Sequence, residues 1–164
     1  MREQSLFWGN GSRILIAIAA ALSQDPQLLI MDEPTSGLDP VMRDDILDML
    51  LDFVRDKKHS VLISSHITSD LEKIADYIVF IHDGRVVFDK SKQELMCQYG
   101  MMKCSGAQFE AIDKGNILCY RRQGHEWDIL TADRDAMREK YPHIRIDPVS
   151  IDDIMLIYIK GERP

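Results

Sequence analysis

Seven residues constrain this chain more than any others. Leu28 to Met31 is a run of four apolar side chains that leads straight into Asp32, Glu33 and Pro34. A continuous apolar run of this length predicts a strand buried on both faces, as in a parallel sheet. Pro34 must end it, because proline has no N–H to give to a ladder. Asp32 and Glu33 are therefore fixed at the C-terminal end of a strand, where open α/β sheets place their ligands. Two adjacent carboxylates there suit metal-assisted phosphate chemistry. One can hold Mg²⁺ directly or through water, and the next can orient an attacking water. For an isolated Asp-Glu pair, a solvated strand end before a turn is the better reading.

Composition narrows the class. The 164 residues suffice for one ordinary domain, or for one domain and a small appendage. Hydrophobic content of 45% and charged content of 29% are those of a soluble globular chain. A net charge of −7 argues against a nucleic-acid surface, which needs a basic stripe. The longest apolar run, Ile14 to Leu22, is too short to span a bilayer, and the N-terminus does not read as a signal peptide. Cys97, Cys104 and Cys119 form no C-x-x-C pair and cannot all pair within the chain, which favours free thiols in a reducing cytosol.

Gly9 to Ser12 reads as a turn, with Ser12 able to cap a helix over about Arg13 to Ser23. That helix is apolar nearly all round, which predicts burial on every side. Asp39-Pro40 is a strong helix start, an N-cap acid followed by proline at the first helical position. The helix should run to about Arg55, with Met42, Ile46, Met49, Leu50, Phe53 and Val54 as its apolar stripe. Ser60 to Ser64 reads as a second buried strand, ending beside Ser65-His66. Ser69 with Glu72 suggests a capping box for a short helix. Tyr77–Ile81 and Arg85–Phe88 flank Asp83-Gly84, a hairpin signal.

The string from Leu28 to Asp39, with Asp-Glu-Pro-Thr followed by Ser-Gly-Leu-Asp, resembles the Walker B strand and D-loop of the ATP-binding subunits of ABC transporters. Ser64-Ser65-His66 is similar to the setting of the family's switch histidine. The resemblance implies an α/β fold, part of a three-layer P-loop NTPase domain. It implies that Asp32 serves Mg²⁺, that Glu33 is the catalytic base, that His66 contacts the γ-phosphate or the water, and that Asp39 communicates across a dimer. The family's signature loop falls on Trp8 to Ser12, where only Gly11 matches. Gly11 and Ser12 are thus either amides offered to a nucleotide at a helix N-terminus or simply a loop and a cap.

The resemblance covers nearly all of the chain but only about the C-terminal half of the family's catalytic domain. The P-loop pattern Gly-x-x-x-x-Gly-Lys-Ser/Thr occurs nowhere in the sequence, and the family's adenine-contacting aromatic and Gln loop are not found either. Without loop amides and lysine, three acidic or weakly polar groups should repel MgATP. The expected partners are a second ATP-binding subunit and a membrane-spanning permease, at the inner face of the cell membrane, with ATP and Mg²⁺ bound in the complete subunit. Self-association through an open sheet edge is a further expectation. A dimerisation or regulatory module without enzymatic activity is the rival reading.

The division is expected near Lys90, giving residues 1–90 as the ATPase part and 91–164 as a small α+β appendage. In the appendage, Ser91–Tyr99 reads as a helix. Ala107–Ile112, Asn116–Tyr120 and Glu126–Leu130 read as strands, Asp133–Lys140 as a helix, Ile144–Ile146 as a strand, and Ser150–Ile159 as a helix. Arg121-Arg122 is expected in a solvated turn and Trp127 in the core. The closing helix resembles the C-terminus of drug and peptide-antibiotic exporters of the family, which implies export.

Overall fold

The computed structural model describes residues 10–164, and the chain divides into two compact units between Ile74 and Ala75. The first unit contains α1 (Asn10–Leu22), β1 (Leu28–Asp32), α2 (Pro40–Phe53), β2 (Ser60–Ser64) and α3 (Thr68–Ile74). Strands β1 and β2 pair in parallel, from Leu28 opposite Ser60 to Asp32 opposite Ser64. Parallel neighbours need a crossover, and α2 supplies it. Asp39 caps α2, with Pro40 at its first position as the sequence predicts.

Alternate residues of the two strands face the helices. Leu29 is buried, with Met31, Val61 and Ile63 packed beside it against Ile18, Ile46 and Leu50. The other face carries Leu28, Ile30 and Leu62, which are 52%, 67% and 60% exposed. The expectation of a strand buried on both faces is therefore corrected: among the described residues, helices cover one face only. The same correction applies to α1, where Ile18 is buried but Ile16 is half exposed. Helix α3 starts at Thr68, so Ser69 lies inside its first turn rather than at its cap. Lys73 of α3 ties it to α2 through Asp44 (2.5 Å) and Asp48 (2.7 Å).

The second unit begins with the hairpin β3 (Tyr77–His82) and β4 (Arg85–Ser91). Asp83 and Gly84 both take positive φ, 49° and 70°, which is the turn that Asp-Gly favours. Helix α4 (Lys92–Gln98) follows, capped by Ser91. Then come β5 (Gly100–Ser105), α5 (Gly106–Ala111), β6 (Cys119–Gln123), β7 (Glu126–Thr131), α6 (Arg134–Lys140), β8 (Arg145–Pro148) and α7 (Ile151–Lys160). The sheet order is β6-β7-β5-β8, with every neighbouring pair antiparallel. That order, with helices between β5 and β6 and between β7 and β8, is the split β-α-β arrangement of ferredoxin-like sheets.

Three expectations for this unit are corrected. Residues 107–112 are not a strand. Ser105 accepts from the Gln108 N–H while the Gln108 side chain accepts from the Ser105 N–H, and this capping box starts α5 instead. The strand expected at Asn116–Tyr120 begins at Cys119, after a 3-10 turn over Lys114–Asn116. Arg121 and Arg122 lie on β6, not in a turn, and Arg121 pairs with the buried Asp128 at 3.1 Å. Strand β5, central to the sheet, has no forecast at all in the sequence reading. Trp127 stacks on Phe109 at 4.1 Å beside a core of Met102, Ile129, Met137 and Ile146. Cys97, Cys104 and Cys119 are free thiols.

After α7 the chain returns to pair Glu162 with Tyr120 on the edge of β6. Gly161 makes this possible, since a Cβ there would come 2.5 Å from the Ile157 carbonyl oxygen and 2.9 Å from that of Tyr120. The Gly115 N–H and then the Lys140 ammonium hold the Asp113 carboxyl below its ordinary range. A depressed carboxyl pKa adds stability that is present above the unfolded-state value and lost as pH falls through the folded-state value. Asp113→Asn should therefore lower the melting temperature at neutral pH. The difference from wild type should close as pH drops below about 4. Truncating the fully buried Ile129 to Ala should cost about 3 kcal/mol in urea denaturation.

Candidate functional site

Parallel pairing puts the C-terminal ends of β1 and β2 side by side, and the chemistry-bearing residues gather there. The Glu33 N–H donates to both the carbonyl oxygen and the Oγ of Ser64, each at 3.1 Å. The Ser64 hydroxyl in turn donates to Asp32 Oδ1. One serine thus holds both acids of the first strand. Glu33 has φ +48°, a left-handed conformation that costs a non-glycine residue on the order of 1–3 kcal/mol and persists only where surrounding contacts fix it.

In this conformation the Glu33 carboxylate reaches across to His66. Nδ1 of His66 lies 2.6 Å from Glu33 Oε2. With Glu33 ionised, Nδ1 is the donor, and among the described residues no partner is seen for Nε2. His66 is 67% exposed and Glu33 35% exposed, so both face solution while touching each other. Asp32 is exposed as well. Asp32, Glu33 and His66 are the predicted residues that the structure brings together.

Asp39 sits apart, at the far end of the loop that follows Pro34. Its Oδ1 accepts from the Val41 and Met42 N–H groups, both at 3.1 Å, so its carboxylate is engaged as a cap. Gly11 is buried in the first turn of α1, where an added Cβ would come within 2.6 Å of the tip of Met42 and 3.4 Å of Leu38. The start of α1 therefore lies against the segment that carries Asp39. Helix α1 begins at Asn10, so Ser12 is inside the first turn and is not the cap that the sequence suggests. Trp8 and Gly9 of the expected signature slot lie outside the described residues.

Among the described residues no group of three or more His, Cys, Asp or Glu converges as metal ligands do. Asp32 offers a second carboxylate oxygen beyond the one taken by Ser64. A lone carboxylate of this kind fits Mg²⁺, which keeps most of its waters and takes few protein ligands at phosphate sites. Sequence reasoning missed Ser64, which looked like the polar end of a strand. Its signal was available: it ends β2 as Asp32 ends β1. It also missed Thr35, Arg43 and Asp70, whose contacts join segments far apart in the chain.

The chain is similar to known ATP-binding proteins. A family profile described as "AAA domain, putative AbiEii toxin, Type IV TA system" matches residues 3–69, less than half of the chain. The lantibiotic transport ATP-binding protein SrtF of Streptococcus pyogenes is 39% identical over 80 residues, covering 49% of this chain and 34% of that protein. The energy-coupling factor transporter ATP-binding protein EcfA2 of Clostridium acetobutylicum is 36% identical over 120 residues, 73% of this chain and 41% of its own length. The bacitracin transport ATP-binding protein BcrA of Enterococcus faecalis is 39% identical over 85 residues, 52% and 28% respectively. The relatives of this chain are ATP-binding proteins of ABC transporters.

The described elements are of the α/β class that the sequence predicts, with a parallel strand pair joined through a helix. The chain spans 28% to 41% of the lengths of these three relatives. Among solved structures, cbiO1 from Clostridium perfringens, part of the ABC transporter complex cbiONQ, is 29% identical. It overlaps 53% of this chain and 35% of its own at a TM-score of 0.48. No helix of the described residues is long and apolar enough to cross a membrane.

The cap on α2 gives a direct test of the loop after Pro34. Asp39→Ala should destabilise the chain by about 1 kcal/mol in denaturant titration, the usual cost of an N-cap acid. An unchanged midpoint would contradict the cap.

Proposed function

We propose that this chain supplies the hydrolytic half of an ATP-binding subunit of an ABC transporter, of the exporter type, with Glu33 as the general base and His66 as its orienting partner. The observation that carries this reading is the 2.6 Å contact between His66 Nδ1 and Glu33 Oε2 at the C-terminal ends of two parallel strands. Glu33 accepts the proton of an attacking water. His66 holds one oxygen of that carboxylate, leaving the other to face the water, and its Nε2 can donate to a phosphate oxygen when the ring is protonated. Asp32 would hold Mg²⁺, which would supply positive charge against the developing phosphate charge. Asp39 and the first-turn amides at Gly11 and Ser12 face a second ATP-binding subunit. The other partner is a membrane-spanning permease at the inner face of the membrane, and no nucleic acid is involved.

The sequence contains no P-loop, so this chain alone should neither bind nor hydrolyse MgATP. The site needs a partner segment that supplies phosphate-binding amides and a lysine. The absence of that motif is also what favours the rival reading, a dimerisation module without turnover. The strand face of Leu28, Ile30 and Leu62, uncovered among the described residues, suits either a completing segment or a second copy of the chain.

Titration calorimetry of the 164-residue chain with MgATP should give no heat, and phosphate release should stay at background. Binding that is lost in Asp32→Asn would contradict this. In the assembled transporter, Glu33→Gln should reduce ATP turnover by about 10²-fold or more while nucleotide binding persists. Turnover unaffected by Glu33→Gln would favour the module without activity.

A further inference from the structure

We propose that buried Thr35 and Asp70, with the half-buried Arg43, form a positioning network that holds Glu33 against His66. The inference rests on the reading of those two residues as the reacting pair. Thr35 is fully buried and Asp70 is 2% exposed, both rare states for polar side chains. The Thr35 hydroxyl donates to Asp70 Oδ2 at 2.7 Å. Arg43 Nη2 donates to Asp70 Oδ1 at 2.5 Å and approaches Ser69 Oγ at 3.4 Å. Both carboxylate oxygens of Asp70 are therefore satisfied, which a buried charge requires.

The three residues come from three separate segments. Thr35 lies on the turn that Glu33 opens, where the Ser36 N–H donates to the Glu33 carbonyl at 3.1 Å. Asp70 lies in the first turn of α3, which begins just past His66, and its N–H donates to the Ile67 carbonyl at 3.1 Å. Arg43 lies in the first turns of α2, beyond the Asp39 cap. The Thr35–Asp70 hydrogen bond thus clamps the loop carrying Glu33 to the helix entry carrying His66. Arg43 extends the clamp to the segment carrying Asp39. Glu33 holds a left-handed φ of +48°, a conformation that needs its surroundings to over-determine it. Ser64 fixes Glu33 from the strand side. The Thr35 hydroxyl carries this turn's contact to Asp70 of α3.

A purely structural role would cost stability without touching the Glu33–His66 contact. The His66 imidazole nitrogens separate the two cases. In ¹⁵N-labelled full chain, the Nδ1 resonance, assigned with His66→Gln, reports the hydrogen bond to Glu33. Glu33→Gln should move it. Thr35→Val should move it to the same position, Thr35→Ser should restore the wild-type position, and Asp70→Asn should shift it as Thr35→Val does. Far-UV circular dichroism checks that each variant is folded, and Asp70→Asn decides if Thr35→Val does not fold. If Glu33→Gln moves the resonance but folded Thr35→Val and Asp70→Asn leave it in place, the positioning role is overturned and the Glu33–His66 pair stands. If Glu33→Gln itself leaves it in place, the pair is overturned, and the network's role with it.

Discussion

The first unit depends on the register of one parallel strand pair. Leu28 to Asp32 lies opposite Ser60 to Ser64 without a break. That register sends Leu29, Met31, Val61 and Ile63 toward the helices. It also sets Asp32 and Ser64 opposite each other at the end of the ladder. A slip of one residue would turn the slipped strand's side chains to the other face. The core would lose its apolar layer and the acids would lose Ser64 at the same time. Packing and chemistry are therefore fixed by one alignment.

Polar contacts tie together the residues just beyond the ladder. Ser64 holds Asp32 and the Glu33 N–H. The Thr35–Asp70–Arg43 chain joins the two loops and α2. Glu33 accepts an unfavourable backbone conformation, and its carboxylate meets His66 as a result. Strain kept at a polar cluster by surrounding hydrogen bonds is a recurring property of functional sites. All of these residues precede Ile74. The second unit has its own core and its own βαββαβ sheet, and it contributes none of them.

Much of this was legible in the sequence because it is local. The apolar run ending at Pro34, the Asp39-Pro40 cap and the Asp83-Gly84 turn each follow from a few adjacent residues. The positions of Asp32, Glu33 and His66 followed from strand ends in the same way. What was illegible depends on contacts between distant residues. No local pattern says that Thr35 meets Asp70, or that only one face of β1 is covered among the described residues. At Ala107–Ile112 the expected strand gives way to a helix started by the Ser105–Gln108 capping box, a local signal that the sequence carries. Strand β5 was hidden because Met101-Met102-Lys103-Cys104 shows neither alternation nor strong strand propensity. The Ser12 cap failed because the helix starts earlier, at Asn10.

The most direct measurement is the register of β1 against β2 in solution. Cross-strand amide contacts by NMR should align Ile30 with Leu62 and Asp32 with Ser64, as in the structure. Observation of those contacts would secure the alignment on which both the core and the acidic cluster depend. Contacts displaced by one residue, or the absence of contacts between these strands in a folded chain, would contradict it.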